Sequence, residues 1–152
     1  MIDRYVRPFL APFLATLLLV SCGQDPVETV PNITGPWLYT ADFRSEVLGF
    51  VPCTTLPTTL TFSQTDTNVV GVFDTLRVVC QPTSGGLDTS IMDLGEQLGI
   101  VRNDSLYFIA SQNVYFWHRG VIGAGTIDGI VLQRLPGTAQ MDTTGSFHAA
   151  RP

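Results

Sequence analysis

The sequence predicts an all-β protein, a single small antiparallel up-and-down barrel of about eight to ten strands. After Thr34, apolar and polar residues alternate in short runs, and most of these runs are joined by turns of hairpin length. No run keeps the 3.6-residue period of an amphipathic helix, and the only helical signal is a weak one over residues 90–98. A meander of hairpins leaves two sheet edges, which closure into a barrel removes. A two-sheet β-sandwich is the alternative architecture.

In the first half of the domain, alternation places apolar side chains on one face of several short strands. The turn composition Thr-Asp-Thr-Asn at residues 65–68 predicts a hairpin connection. The strands predicted on this basis cover residues 37–43, 59–63, 69–73 and 76–80.

In the second half, Arg-Asn-Asp-Ser at residues 102–105 predicts another tight turn. Asp128-Gly129 is the strongest short hairpin signal in the chain, and it predicts a turn between strands at residues 121–127 and 130–135. The other strands predicted here cover residues 99–101, 106–109, 114–119 and 145–151. Longer loops are expected near residues 49–57, 81–97 and 136–144.

Composition limits the function classes. The chain has 152 residues, a net charge of −5, and no lysine among its eight basic residues. Schiff-base and phosphate-loop lysine chemistry is therefore excluded. Scattered arginines on an acidic chain do not form the basic patch that neutralises phosphates, so we expect no nucleic-acid partner.

The N-terminus has the layout of a secretory signal. Arg4 and Arg7 precede an uncharged run over residues 9–20, and this run is shorter than the about 20 apolar residues that span a bilayer. The exit, Leu-Val-Ser-Cys at residues 19–22, resembles the lipobox of bacterial lipoproteins. The resemblance implies lipidation of Cys22 and cleavage before it. An ordinary signal peptide followed by a chance cysteine is the alternative.

The resemblance implies three regions: a lipoprotein signal peptide at residues 1–21, the lipidated cysteine and a tether at residues 22–34, and the barrel domain at residues 35–152. It also implies a membrane partner, through the lipid anchor, and a place in the bacterial cell envelope. Gly23 follows the cysteine, and by analogy with diderm bacteria we expect the outer membrane.

With Cys22 assigned to a lipid, Cys53 and Cys80 remain. An even number of cysteines in an oxidising compartment predicts one disulfide. Two free thiols, or a metal-binding pair, are the alternatives.

Gly35-Pro36-Trp37 at the start of the domain and Arg151 in its last strand form a pattern that resembles the lipocalin and avidin-like group of up-and-down barrels. The resemblance implies that Trp37 packs over one barrel end against Arg151 and closes it by a cation–π contact. The domain is nearer in size to avidin than to a typical lipocalin.

Aromatic residues and one histidine make up the candidate ligand pocket, with the densest cluster at residues 114–119. The alternative is that they are core and outer-face residues of ordinary strands. The candidates are Tyr39, Phe62, Phe108, Phe116, Trp117 and His118.

We find no catalytic or metal motif. His118 and His148, the only histidines, could approach one another but lack ligand-spaced neighbours. There is no G-x-S-x-G elbow and no CxxC pair, and the glycine-rich residues 120–125 do not open a helix. We therefore expect no enzyme activity, no metal and no cofactor.

Two functional hypotheses remain. In the first, a lipid-anchored barrel binds a small apolar ligand, and small residues such as Ala41, Gly71, Gly99 and Ala110 leave space inside. In the second, large apolar residues fill the barrel, which docks to an envelope partner by its rim or loops. Whether the interior is hollow separates the two.

Overall fold

The computed structural model describes residues 29–45, 51–82, 84–110, 116–134 and 140–152. This part of the chain is all-β and antiparallel, and it contains no helix of a length and apolar character that would cross a membrane. Its strands are β1 (Gly35–Ser45), β2 (Val51–Thr55), β3 (Thr58–Thr65), β4 (Asn68–Phe73), β5 (Leu76–Cys80), β6 (Asp88–Met92), β7 (Glu96–Arg102), β8 (Ser105–Ala110), β9 (Phe116–Ile122), β10 (Thr126–Arg134) and β11 (Met141–Ala150).

Eight strands close the barrel, in the order β1-β3-β4-β7-β8-β9-β10-β11. Closure comes from pairing of the last strand with the first, in a register from Leu38 opposite Ala150 to Phe43 opposite Gly145. The predicted antiparallel barrel is confirmed, and the sandwich alternative is wrong.

The three remaining strands, β2, β5 and β6, extend the barrel wall as a side sheet. β1 pairs with β3 along its first half and with β2 along its last residues. Only Leu56 and Pro57 separate β2 from β3, and only Asp74 and Thr75 separate β4 from β5. Each of these strand pairs is therefore one long strand with a short break. The two long strands pair with each other in one register, and only the outer neighbour changes, from β7 beside β4 to β6 beside β5. The side sheet lies beyond the C-terminal half of β1, at what we call the upper end of the barrel; the end where β1 begins is the lower end.

Two predicted turns are confirmed and one is wrong. The turns at residues 65–68 and 102–105 contain Asp66 and Asn103 in the left-handed region, with φ of 54° and 53°. Asp128 and Gly129 instead lie inside β10, and the chain reverses at residues 123–125, where Gly125 has φ of 92°.

Gly129 lies in a strand because two strands and an aromatic ring meet there. It pairs with Gly120 of β9, and a Cβ atom at position 129 would collide with the Arg119 carbonyl oxygen and with the Phe147 ring. The glycine therefore allows a close approach and is not needed for a turn.

The helical signal over residues 90–98 is also wrong, because this stretch contains the end of β6 and the start of β7. The expected loops at residues 49–57 and 81–97 contain β2 and β6. β6 is mostly exposed and is held by its pairing with β5, a long-range contact that its own sequence does not indicate.

Candidate functional site

The lower end is closed by Trp37 and Arg151. Trp37 is buried, and its indole N–H donates a hydrogen bond to the Ile33 carbonyl at 2.8 Å. The Arg151 guanidinium lies over the indole, with Cζ 4.5 Å from the ring centroid, and donates to the Thr34 carbonyl at 2.8 Å. The contact implied by the lipocalin resemblance is thus present in the structure.

The described part of the predicted tether packs against this end. Ile33 is fully buried, and its backbone N–H donates to the side-chain oxygen of Gln64 at 2.9 Å. The amide nitrogen of the same glutamine donates to the Pro31 carbonyl at 3.0 Å and to the Asp66 carbonyl at 2.9 Å. The backbone that leads into β1 is therefore fixed to the β3–β4 turn.

Five of the six candidate pocket residues share the interior. Their rings pack directly: Phe108 stacks on His118 with centroids 4.2 Å apart, and Phe62 meets Phe108 edge-on at 5.8 Å. The buried members are Tyr39, Phe62, Phe108, Phe116 and His118.

Trp117 is the exception and a correction. Successive side chains along a strand point to opposite faces, so Phe116 and His118 face inward while Trp117, 39 % exposed, faces outward. The prediction that Trp117 lines the same pocket as Phe116 and His118 is therefore wrong.

Sequence reasoning did not single out Phe147. Its ring contacts His118 and Phe108 at centroid distances of 5.1 Å and 5.8 Å. The signal that could have found it is the pair of glycines, Gly120 and Gly129, because added Cβ atoms there would meet the Phe147 ring.

This packing fills the described interior. The cavity left among the rings has a volume of about 30 Å³, whereas pockets for small molecules typically measure about 300–1,000 Å³. Small residues do not enlarge it: a Cβ atom at Gly71 would lie 2.9 Å from Phe62 Cε1, so the ring already occupies that space. Of the two alternatives for the interior, the structure therefore favours the filled barrel.

His118 and Tyr39 form the polar centre of the core. His118 Nε2 and the Tyr39 hydroxyl are hydrogen-bonded at 2.8 Å, while His118 Nδ1 is buried without a hydrogen-bond partner among the described residues. Burial lowers the pKa of His118 to about 3 and raises the pKa of Tyr39 well above its usual value. Both groups are therefore neutral, and the unpaired nitrogen costs about 1–3 kcal/mol.

An apolar groove of about 530 Å³ runs over the outside of the barrel wall formed by β4, β7, β8 and β9. Leu98 is 62 % exposed, and the Arg119 guanidinium lies 5.7 Å from the centroid of the Tyr107 ring at one side. We call this surface the outer groove; the outward-facing side chains that line it are Val70, Leu98, Ile100, Tyr107, Ile109 and Trp117.

The predicted disulfide is confirmed. Cys53 of β2 and Cys80 of β5 lie directly opposite one another and are bonded, which excludes two free thiols and a metal pair. No group of three or more potential metal ligands occurs among the residues that the structure describes.

The second histidine does not approach the first, because His148 lies on the outer face. Its Nδ1 is 2.6 Å from Asp128 Oδ1, and this hydrogen bond is the main cause that lowers the pKa of Asp128. The side chain of Thr126 is also hydrogen-bonded to Asp128 and lowers the pKa of this carboxyl further.

Cys22 and the signal peptide lie outside the described residues. Searches of protein-family models, curated proteins and solved structures find no match to this chain.

Proposed function

We propose that this chain is a lipid-anchored lipoprotein of the bacterial cell envelope whose filled barrel binds a protein partner through the outer groove. The observation that carries this proposal is a difference in volume. The cavity inside the barrel measures about 30 Å³, whereas the apolar groove outside it measures about 530 Å³. A binding function based on the packed interior would require rearrangement, whereas the outer groove is already formed.

The residues of the outer groove suit a protein partner. Leu98 and Trp117 expose apolar surface to water, and burial of such surface is the dominant favourable contribution to most protein association. Tryptophan, tyrosine and arginine are the residue types most often found at the centres of interfaces. The occupant that fits is therefore a protein with apolar side chains for the groove and an acidic group near Arg119.

The net charge of the chain argues against a lipid bilayer as the occupant of the outer groove. The chain carries a net charge of −5, so an anionic membrane surface repels it. The anchor proposal depends instead on the sequence at residues 19–22. A second acyl chain is what makes such an anchor stable, because one chain alone holds only marginally.

A carrier of a small apolar ligand, the other hypothesis, would require the interior to open, because the cavity observed has about a tenth of the volume of the smallest typical small-molecule pockets. We propose a binding role rather than a catalytic one, since the only buried histidine is neutral above about pH 3 and bonded to Tyr39.

The partner proposal is tested by site-specific photocrosslinking of the full chain in the bacterium that produces it. A benzophenone amino acid replaces Leu98 in the groove, and the matched control places it at Val121, which is 57 % exposed on the same strand face as Trp117 but does not line the groove. We expect one protein adduct from position 98 and none of the same mass from position 121.

The adduct is then identified, and binding of the purified partner is measured. Leu98→Asp should weaken binding at least tenfold, while Val121→Asp leaves it unchanged. Adducts only with lipid or with a second copy of the chain, or equal effects of the two variants, would contradict the proposal.

The anchor is tested separately. The mature N-terminal peptide should begin at Cys22 and carry acyl chains by mass spectrometry, and Cys22→Ala should move the protein to the soluble fraction. An unmodified N-terminus at any other residue would overturn the lipoprotein proposal and leave the groove proposal standing.

A further inference from the structure

The cavity of about 30 Å³ lies toward the upper end of the barrel and has an unusual lining. Three polar side chains, Tyr39, Thr55 and His118, meet there in a wall that is otherwise apolar and contains no charged residue. Mostly apolar walls with a few convergent polar groups are typical of small-molecule sites. The apolar lining consists of Phe43, Phe73, Leu76, Val78, Met92, Leu94, Phe116 and Val131.

One of the polar groups lacks a partner. His118 Nε2 is hydrogen-bonded to Tyr39, and Thr55 Oγ1 accepts a hydrogen bond from the backbone of Ala41 at 2.7 Å. His118 Nδ1 has no partner among the described residues, and the residue as a whole is only 4 % exposed to solvent. Buried polar atoms are rarely left unpaired in native proteins, so an unpaired nitrogen on a residue that lines a cavity is a candidate contact for a bound molecule.

The wall of the cavity is movable on one side. Met92 ends β6 and Leu94 follows it, and both are only partly buried. In the described part of the chain, β6 is paired with β5 alone, and its other residues are exposed. Methionine is flexible and fits irregular gaps. These side chains can therefore move outward without breaking any pairing of the closed barrel.

We infer that this cavity is the closed form of a binding site for a compact, neutral, hydroxylated aromatic molecule. The ring of the ligand takes the space vacated by Met92 and Leu94, where Phe43, Phe73 and Phe116 offer edges and faces for ring contacts. Its hydroxyl bonds to His118 Nδ1. This inference goes beyond the proposed function, because it uses the interior of the barrel rather than the outer groove.

Phenol is the probe, and benzene is the matched compound without the hydroxyl. In the full chain labelled with ¹⁵N-histidine, phenol should produce a saturable shift of the His118 Nδ1 resonance. Phenol should bind about fivefold more tightly than benzene, the factor expected for one hydrogen bond.

Two variants of β6 sharpen the test. Met92→Ala widens the cavity and should tighten phenol binding at least fivefold, whereas Ile91→Ala, which removes a 68 % exposed side chain from the opposite face, should not change it. Leu98→Asp in the outer groove should also leave phenol binding unchanged, so the two proposals fail independently.

The inference is overturned if phenol gives a saturable shift of His118 neither in the wild type nor in Met92→Ala. It is equally overturned if phenol and benzene bind alike, or if a single water contacts His118 Nδ1 and phenol never displaces it.

Discussion

The two ends of the barrel are closed by different physical means. At the lower end, hydrogen bonds from Trp37 and Arg151 to backbone carbonyls of Ile33 and Thr34 accompany the ring contact. At the upper end, partly buried apolar side chains such as Phe43 and Met92 cover the core, and the side sheet extends the wall.

This difference shows at which end of the barrel the polar groups all have hydrogen-bond partners. At the lower end each polar group named above has a partner, so little is gained by adding a ligand. Beneath the upper end, His118 Nδ1 is left unpaired beside a cavity. A closed β-barrel can therefore pair its polar groups at one end and still keep an unmet hydrogen bond near the other.

The largest expected effect concerns the lower end. Trp37→Ala removes a side chain that is 2 % exposed, and it should cost about 3–5 kcal/mol of the free energy of unfolding, measured by urea denaturation. Trp117→Ala is the matched control, because the same residue type is 39 % exposed on the outer face and should cost about 1 kcal/mol or less. Similar costs at both positions would show that Trp37 does not hold the lower end.

The next effect concerns the upper end. Breaking the Cys53–Cys80 bond opens a loop with a sequence separation of 27 and should cost about 3–4 kcal/mol, measured by urea denaturation of oxidised and reduced protein. Hydrogen exchange of the folded protein should then rise in β2, β5 and β6 more than around Trp37. A uniform rise across both ends would mean that the side sheet and the barrel open as one unit.

The alternation of apolar residues predicted most of the wall, because inside and outside follow directly from a period of two. The contact at the lower end was implied by the resemblance of Gly35-Pro36-Trp37 and Arg151 to the lipocalin and avidin-like barrels, and not by the alternation. The disulfide was predicted because assigning Cys22 to a lipid leaves an even number of cysteines in an oxidising compartment.

The errors share a cause, which is dependence on the contacts that neighbouring strands make within the folded sheet. Asp128-Gly129 has the composition of a turn, but the close approach of Gly120 and the Phe147 ring fixes it inside a strand. β6 exists because β5 lies beside it. The side sheet and the cavity therefore could not be found by reading short windows.

The last expected effect is a dependence of stability on pH that arises from His118. Its pKa is about 3 in the folded protein and near 6.5 in the unfolded chain. Between these values the unfolded chain binds a proton that the folded protein does not, so stability falls as the pH is lowered through this window. The slope from His118 is about 1.4 kcal/mol per pH unit, and the contribution is fully present only above about pH 6.5.

The slope is measured by urea denaturation between pH 4 and pH 6. His118→Gln keeps a neutral polar side chain beside Tyr39 and should remove this contribution, whereas His148→Asn, on the outer face, should keep it. Should His118→Gln not fold, the ¹⁵N resonances of His118 in the wild type decide the point, since a buried neutral ring does not change its shifts over this range. A titration of His118 near pH 6 would mean that water reaches the ring, and the upper end would then be open rather than closed by Phe43 and Met92.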